Sequence, residues 1–237
     1  MVRAVAPTAA QYEALMAPPI EHFDANQLFE HEVSCYKWAG LATSEVMEPL
    51  RALVVNHDNL FLLIPPKPKI EKRTELDNLI YHLVYKNRLT KTNLYPQSLR
   101  DDVEVPSGVY VMNHVQDGRD MLDISPSSAL GTFRWKKRSP LTWFESFCLS
   151  LCFGKMIFEH HDIYCAGSSH GDQYKVVPIF QRISHEGKFK VILDGLPNNS
   201  SDGRRGSPSC ASRIGIEVAD VPHLEHFVCP WEIVETI

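Results

Sequence analysis

The stretch Ser139-Pro-Leu-Thr-Trp-Phe-Glu-Ser-Phe-Cys-Leu-Ser-Leu-Cys-Phe-Gly154 decides the fold of this chain. From Phe144 onward, apolar side chains occupy nearly every face of a helix, and such a helix is buried inside a protein. Two signals compete for its start: Ser139-Pro140 would place a proline in the first turn, and Thr142 with Glu145 matches a capping box. Whichever signal begins it, we predict a central buried helix on which the other elements pack.

Cys148 and Cys152 stand four residues apart on this helix and therefore share one of its faces. Because their neighbours are apolar, the pattern favours buried, unpaired packing thiols over a metal site. The chain has six irregularly spaced cysteines, which are too few for a disulfide scaffold. Free thiols, together with the lack of an apolar export segment near Arg3, predict a cytoplasmic location.

The residues before the central helix predict a helical hairpin followed by a buried strand. Asp24 caps a first helix, Gly40 ends it, and Thr43 or Ser44 begins a second helix with apolar residues at helical spacing. The apolar run at residues 59–64 is ended by Pro65-Pro66, and its length and composition are typical of a strand buried on both faces.

The residues after the central helix predict β structure. Four strand-like segments, at residues 163–166, 174–182, 188–193 and 213–218, are separated by loops rich in Gly, Ser and Asn. Because helices and strands come in blocks and do not alternate, we predict an α+β fold. In this prediction an N-terminal helical hairpin precedes a mixed β-sheet that packs on the buried central helix. Residues 1–22 form a loose N-terminal arm, and residues 23–237 form a single domain.

Composition excludes several classes of protein. The chain has 237 residues, of which 44% are apolar and 22% are charged, and these values are typical of a soluble globular protein. Its formal net charge is −5, which argues against nucleic acid as a partner because nucleic-acid binders are usually basic. The longest uncharged apolar stretch, residues 146–154, is about half as long as a membrane span, so we expect no membrane segment.

Two loops rich in Gly and Ser are the main candidates for a site. They read Gly167-Ser-Ser-His-Gly-Asp172 and Gly206-Ser-Pro-Ser-Cys-Ala-Ser-Arg213. Such loops either form an anion-binding nest or only turn tightly between strands. We expect the two loops to meet in space, with Arg213 either anchoring an anion or pairing with Asp172 as a structural clamp. The candidate ligand-binding residues are Ser168, Ser169, Asp172, Ser207, Ser209 and Arg213.

An enzyme is the alternative interpretation of the same loops. Cys210, His170 and Asp172 supply a nucleophile, a base and an orienting carboxylate, which would suit a hydrolase or a transferase. Such a trio also arises by chance in a chain of this length, so catalysis stays open. The Glu159-His-His-Asp162 cluster is typical of a solvated turn. We therefore predict neither a metal site nor a cofactor.

Short motifs in a fixed order also carry a resemblance to a known family. The motifs are Phe23-Asp24, Leu41, Glu48-Pro-Leu-Arg51, residues 60–65, Val103-Glu-Val-Pro-Ser-Gly108, residues 121–129, Ser139-Pro-Leu-Thr142, residues 167–172, Val177-Pro178 and residues 207–213. From about Phe23 to Arg213, the chain resembles an uncharacterised, mainly actinobacterial family that is defined as a domain of unknown function. The resemblance implies a bacterial protein and a region of interest, without a reaction.

The chain departs from the pattern of that family at three places. The family usually has Arg at the position of Ser169, Trp at the position of Phe180, and a Trp-rich stretch at residues 194–205. If those residues form a ligand pocket in the family, the resemblance implies an altered pocket here. Residues 66–100 match poorly and are interpreted as a variable helical elaboration, which an interaction protein could use toward a partner. Our leading hypothesis is a cytoplasmic module that binds an unknown small molecule or protein.

Overall fold

The structure combines α-helices with antiparallel and mixed sheets, which confirms the α+β class, although helices and strands alternate between residues 61 and 158 and do not form separate blocks. The structure, a computed structural model, describes residues 24–54, 59–81, 83, 92–171, 176–185 and 188–216. The arm predicted at residues 1–22 therefore lies outside the described residues, as does Asp172. In chain order the elements are α1 (Ala25–Trp38), α2 (Ser44–Met47), α3 (Arg51–Val54), β1 (Phe61–Ile64), α4 (Arg73–Tyr81), β2 (Leu99–Asp101), β3 (Val109–Asn113), α5 (Pro126–Trp135), β4 (Ser139–Pro140), α6 (Trp143–Phe158), β5 (Asp162–Tyr164), β6 (Ser168–His170), β7 (Val176–His185), β8 (Lys188–Pro197), β9 (Arg205–Gly206), β10 (Ser209–Cys210) and β11 (Ser212–Ile216), with 3₁₀ turns at Glu48–Leu50, Pro96–Ser98 and Arg119–Met121.

The capping box, and not the Ser-Pro pair, begins the central helix α6. The backbone N–H of Thr142 donates to Glu145 Oε2 at 2.7 Å, and the N–H of Glu145 donates to Thr142 Oγ1 at 3.3 Å. The expectation that Ser139-Pro140 could start this helix is wrong. Those two residues form β4, which pairs with β10 in an antiparallel ribbon. Proline fits this position because a two-residue ribbon leaves one edge unpaired.

Helix α6 is the buried centre of the fold, as predicted. It contacts β1 of one sheet and both β5 and β7 of the other. Cys148 and Cys152 are free thiols with 0% of their surface exposed, which confirms their prediction as core residues. In the described part of the chain, no helix combines the length and the apolar character that crossing a membrane requires.

The N-terminal helices follow the sequence pattern with one correction. The N–H of Gln27 donates to Asp24 Oδ1 at 2.8 Å, so Asp24 caps α1 as predicted. The second helix of the predicted hairpin is interrupted, because the 3₁₀ turn around Pro49 separates α2 from α3. Proline has no N–H to donate and its ring clashes with the preceding turn of an α-helix, so this segment cannot remain one α-helix.

Two sheets enclose α6. In the first, β3 lies between β1 and β11, and all pairs are antiparallel; all four residues of β1 are buried, as predicted for a strand covered on both faces. In the second, the long β7–β8 hairpin carries β5 and β6 along its other edge, and β2 pairs outside β6. The pair β5–β9 is parallel, so this sheet is mixed.

A glycine contact between distant segments gives the first testable prediction. A Cβ on Gly206 would overlap the carbonyl group of Gly118, whereas a Cβ on Gly203 would meet no atom within 4 Å. We expect Gly206→Ala to lower the free energy of unfolding by about 1–3 kcal/mol, the usual cost of overpacking. The control, Gly203→Ala, should leave it within about 0.5 kcal/mol of the wild type. Equal urea midpoints for the two variants would contradict the close approach.

The buried carboxyl group of Glu32 gives a prediction about pH. Its Oε2 accepts from the N–H of Leu63 at 2.6 Å, and its Oε1 is buried without a partner among the described residues. Burial raises the pKa of Glu32 well above its ordinary value of 4.5. An acid whose pKa is higher in the folded than in the unfolded chain stabilises the fold below its unfolded pKa, and this contribution is lost as the pH rises through the folded pKa.

Glu32→Gln should therefore gain stability relative to the wild type as the pH rises. We expect the difference in unfolding free energy to grow by about 1 kcal/mol or more between pH 5 and pH 8, which corresponds to one pKa unit or more. Glu30→Gln, an exposed change on the same helix, is the matched control and should show a constant difference. Urea titrations at both pH values measure both variants, and parallel pH profiles for the two would refute the prediction.

Candidate functional site

The two predicted Gly/Ser loops lie on either side of Leu141, immediately before α6. The N–H of Gly167 donates to the carbonyl oxygen of Leu141 at 2.9 Å. The N–H of Leu141 donates in turn to the carbonyl oxygen of Pro208 at 3.2 Å. Gly167 is required at its position because a Cβ there would lie 2.8 Å from the backbone of Pro140 and Leu141. Both loops are therefore held at the start of the central helix.

The polar groups of the second loop, residues 206–213, are largely occupied by hydrogen bonds within the protein. Ser209 and Cys210 are buried. Arg138 donates from Nε to Ser209 Oγ at 2.8 Å and from Nη2 to the carbonyl oxygen of Ser209 at 3.0 Å. Ser207 is also buried, and its Oγ has no partner among the described residues. This loop therefore supports the structure from within, and Ser207 alone among its candidate residues keeps an unused hydroxyl in the described part of the chain.

Arg213 forms a bidentate ion pair with Glu145. Its Nε donates to Glu145 Oε1 at 2.6 Å and its Nη2 to Oε2 at 2.8 Å, while Nη1 donates to Ser139 Oγ at 2.6 Å. Only 8% of the Arg213 side chain is exposed. Burial lowers the pKa of Arg213, but the hydrogen bonds and charge of Glu145 outweigh it, so the net pKa is raised. This geometry favours the clamp over the anion anchor, with Glu145 as the carboxylate partner of Arg213; the alternative partner, Asp172, lies outside the described residues.

Cys210 and His170, two of the candidate catalytic residues, belong to different sheets. Cys210 pairs with Ser139 in the β4–β10 ribbon, whereas His170 pairs with Leu99 in the second sheet. Burial raises the pKa of Cys210 to about 11, so its thiol stays protonated at neutral pH and is a weak nucleophile. Burial lowers the pKa of His170. The third candidate, Asp172, lies outside the described residues, so the catalytic trio stays a prediction.

The first loop contributes to a different cluster, which we name the Trp143 site: Lys67, Asp101, Trp143 and Ser168. Ser168 Oγ accepts from the N–H of Trp143 at 2.9 Å and donates to Asp101 Oδ1 at 2.9 Å. Lys67 Nζ donates to Asp101 Oδ2 at 2.6 Å and lies 5.0 Å from the centre of the Trp143 ring. The site therefore joins an ammonium, a carboxylate, a hydroxyl and an indole from four separate segments.

An unused donor distinguishes the Trp143 site from an ordinary polar cluster. The Trp143 side chain is buried, and its Nε1 has no hydrogen-bond partner among the described residues. An indole N–H can only donate, so the partner it lacks is an acceptor. The side chain of Lys67, which covers the same ring, is 41% exposed. The site thus offers one buried donor and one accessible cation. Ser169 lies next to it and donates to Asp102 Oδ1 at 2.9 Å.

Sequence reasoning identified Ser168 and missed the other three members of the Trp143 site. Nothing in the local pattern marks Lys67 or Asp101, because both are ordinary charged residues in segments rich in charge. The position of Trp143 in the first turn of a capped helix was the available signal.

Two side chains of the Glu159-His-His-Asp162 cluster form hydrogen bonds with backbone groups of other segments. His161 Nε2 donates to the carbonyl oxygen of Asp117 at 2.9 Å, and Asp162 Oδ1 accepts from the N–H of Arg182 at 2.8 Å. Glu159 and His160 are exposed, as a solvated turn predicts, but His161 is 3% exposed, so the prediction of a solvated turn is wrong for that residue. The side chains of His161 and Asp162 are held toward different neighbours because each binds a backbone group of another segment. Within the described ranges, no group of three or more His, Cys, Asp or Glu residues is arranged to hold a metal ion.

The Arg213–Glu145 pair gives a direct test of the clamp. We expect Arg213→Ala to lower the free energy of unfolding by about 3–5 kcal/mol, because the carboxylate of Glu145 is left buried without its counter-charge. Arg119→Ala removes the exposed ion pair with Asp117 and should cost about 1 kcal/mol or less. Guanidinium titrations compare both variants with the wild type. A small effect of Arg213→Ala would instead favour a role for Arg213 in ligand binding.

Comparison with protein-family models, with curated proteins and with solved structures finds no match to this chain. No relative therefore contributes a function or a site residue, and the resemblance drawn from the sequence motifs stays a prediction. The choice of the Trp143 site depends on the contacts of its own residues.

Proposed function

We propose that the protein is a binding module, and that the Trp143 site recognises a carboxylate group on a small molecule. This proposal rests on one observation: the buried indole N–H of Trp143 has no hydrogen-bond partner among the described residues. A buried donor without a partner costs about 1–3 kcal/mol. A bound acceptor would remove that cost. We therefore expect a ligand with such an acceptor to raise the free energy of unfolding of the protein.

The charges around Trp143 support a carboxylate as the recognised group. A carboxylate has two acceptor oxygens, and one can accept from the indole while the other accepts from the ammonium of Lys67. Asp101 binds the same ammonium through Oδ2, so the pair of side chains carries no net charge and one further anion is not repelled by an excess of negative charge. Ser168 fixes Asp101 and the backbone of Trp143 with one hydroxyl.

The two Gly/Ser loops have different roles in this proposal. The first loop supplies Ser168 and orients the site, and the second loop holds the start of α6 through Pro208 and Arg213. We further propose that the module acts in a cytoplasm, and in a bacterium as the family resemblance implies. Five of its cysteines are buried free thiols in the described part of the chain, which suits a reducing compartment.

Removing the unused donor provides the test of this function. Trp143→Phe keeps an aromatic ring and deletes the N–H, so the melting temperature of the free protein should stay the same or rise. A thermal-shift series with acetate, succinate, citrate and glycine at millimolar concentration should raise the melting temperature of the wild type for at least one carboxylate. We expect Trp143→Phe to lose most of that shift, and Trp135→Phe, which changes an exposed tryptophan, to keep it.

The lysine in the site has a matched control in the same segment. Lys67→Ala should reduce the carboxylate-induced shift about tenfold in apparent affinity, the effect of losing one charge-assisted hydrogen bond. Lys69→Ala, which removes an exposed pair with Glu71, should leave the affinity unchanged. An equal loss of apparent affinity in both lysine variants would rule out the Trp143 site as the binding site. A carboxylate-induced rise in melting temperature as large in Trp143→Phe as in the wild type would do the same.

A further inference from the structure

A second cluster of reactive groups lies where α1 crosses α6. His31 and Cys35 are four residues apart and share one face of α1, and this face meets Cys152 on α6. His31 Nε2 lies 2.9 Å from the carbonyl oxygen of Cys152 and 3.8 Å from Cys35 Sγ. Cys152 neighbours Cys35 closely enough for its thiol to lower the pKa of Cys35. Two thiols and one imidazole therefore converge between the two helices.

The contacts assign different protonation states to the two sulfurs. The neighbouring thiol of Cys152 lowers the pKa of Cys35, and His31 lowers it further, so that it lies at about 6 despite burial. Burial raises the pKa of Cys152. Both neighbours of His31 Nε2 accept hydrogen bonds, so this nitrogen carries a proton. At neutral pH the cluster thus holds a thiolate on Cys35 beside a protonated thiol on Cys152.

The other titratable groups around Cys35 do not place a competing charge on it. Glu32 and Tyr36 belong to α1, and Cys148 belongs to α6 one turn before Cys152. Burial raises the pKa of all three, which favours their neutral forms. Tyr36 also donates its hydroxyl proton to the carbonyl oxygen of Leu63. Cys152 and the imidazole of His31 are therefore the groups that stabilise the negative charge on Cys35.

We propose that Cys35 and Cys152 form a peroxide-reactive dithiol, in which Cys35 is oxidised first and Cys152 closes a disulfide between α1 and α6. The proposal rests on the convergence of the two sulfurs with His31. It concerns the side of α6 that faces α1, and it does not depend on ligand binding at the Trp143 site.

Each step has a defined electron and proton balance when hydrogen peroxide is the oxidant. Burial lowers the pKa of His31, but contact with Cys35 and with the Cys152 carbonyl outweighs burial and raises the pKa, which favours an imidazolium beside the Cys35 thiolate. The thiolate attacks one peroxide oxygen, the O–O bond breaks, and the leaving hydroxide takes the Nε2 proton of the His31 imidazolium, which becomes neutral, and departs as water. The sulfur loses two electrons and becomes a sulfenic acid. Cys152 then attacks that sulfur as its thiol loses its proton. The S–S bond forms, the S–O bond breaks, and the hydroxide combines with the proton and leaves as a second water molecule.

Access to the buried sulfur requires only a small movement. The side chain of Cys35 is 1% exposed, and His31 beside it is partly exposed. Hydrogen peroxide is little larger than water, so a local opening of α1 is sufficient to admit it. A larger thiol reagent would react more slowly at the same site. The burial of Cys35 therefore selects small oxidants over bulky ones.

Peptide mass spectrometry of the full chain tests the proposal without any substitution. The reduced protein is treated with hydrogen peroxide, unfolded in an alkylating reagent and digested. We expect a peptide pair joined through Cys35 and Cys152, formed at a rate about tenfold above that of free cysteine at pH 7, because most of Cys35 and only a few per cent of free cysteine is thiolate. Both cysteines recovered alkylated, or a disulfide that uses another cysteine, would overturn the proposal.

Three variants assign the roles of the individual residues. Cys148→Ala, the matched control one turn away, should still form the disulfide. Cys152→Ala should stop at a sulfenic acid on Cys35, which dimedone labels when the treated protein is unfolded. His31→Gln should slow oxidation at pH 7 by about tenfold and shift the midpoint of its pH profile upward, toward the ordinary thiol pKa. An unchanged pH profile in His31→Gln would contradict the role of His31, and a loss of the disulfide in Cys148→Ala would contradict the choice of Cys152.

Discussion

The fold depends on one buried carboxylate at the start of the central helix. Glu145 accepts from Arg213 through Nε and Nη2, from the hydroxyl of Tyr110, and from the backbone N–H of Thr142. These donors come from β11, β3 and the helix cap, so one side chain joins the first sheet to α6. A buried carboxylate is tolerated only when its hydrogen-bonding capacity is met, and removal of one donor therefore weakens the whole junction.

This junction also positions the Trp143 site. Because Glu145 and Thr142 fix the first turn of α6, the backbone of Trp143 is held where Ser168 can accept its N–H. The same turn keeps Leu141 between the two Gly/Ser loops. Three members of the site are thus tied to the start of α6 by hydrogen bonds, and its exposed member, Lys67, is the one that would meet the proposed ligand.

Helix α6 separates the two proposed activities. Its first residue, Trp143, belongs to the carboxylate site, while Cys152 belongs to the thiol cluster against α1. Nine residues of helix place the two about 13 Å apart along the axis. The N-terminal end of α6 offers one unused donor, the indole N–H of Trp143, and meets an exposed cation. The middle of the helix is buried, and desolvation raises the pKa of its thiols. The same helix therefore presents polar chemistry at one end and thiol chemistry along its length.

The sequence by itself determined the local structure, because caps and apolar periodicity act over three or four residues. Asp24, Thr142 with Glu145, and the apolar run that becomes β1 were all readable in this way. Pro49 by itself indicates a break in the second helix, but the apolar periodicity around it predicts a continuous helix. The second proline, Pro140, was misleading because its pairing partner lies in β10, some seventy residues away.

Only the tertiary structure decided the site. The contacts that build it join residues separated by 34, 67 and 25 positions, for Lys67–Asp101, Asp101–Ser168 and Trp143–Ser168. The partner of Arg213 was decided in the same way, since 68 positions separate it from Glu145. Hydrogen-bond geometry and burial act through space, and a buried donor without a partner exists only once the chain has folded around it. No spacing along the chain encodes that condition.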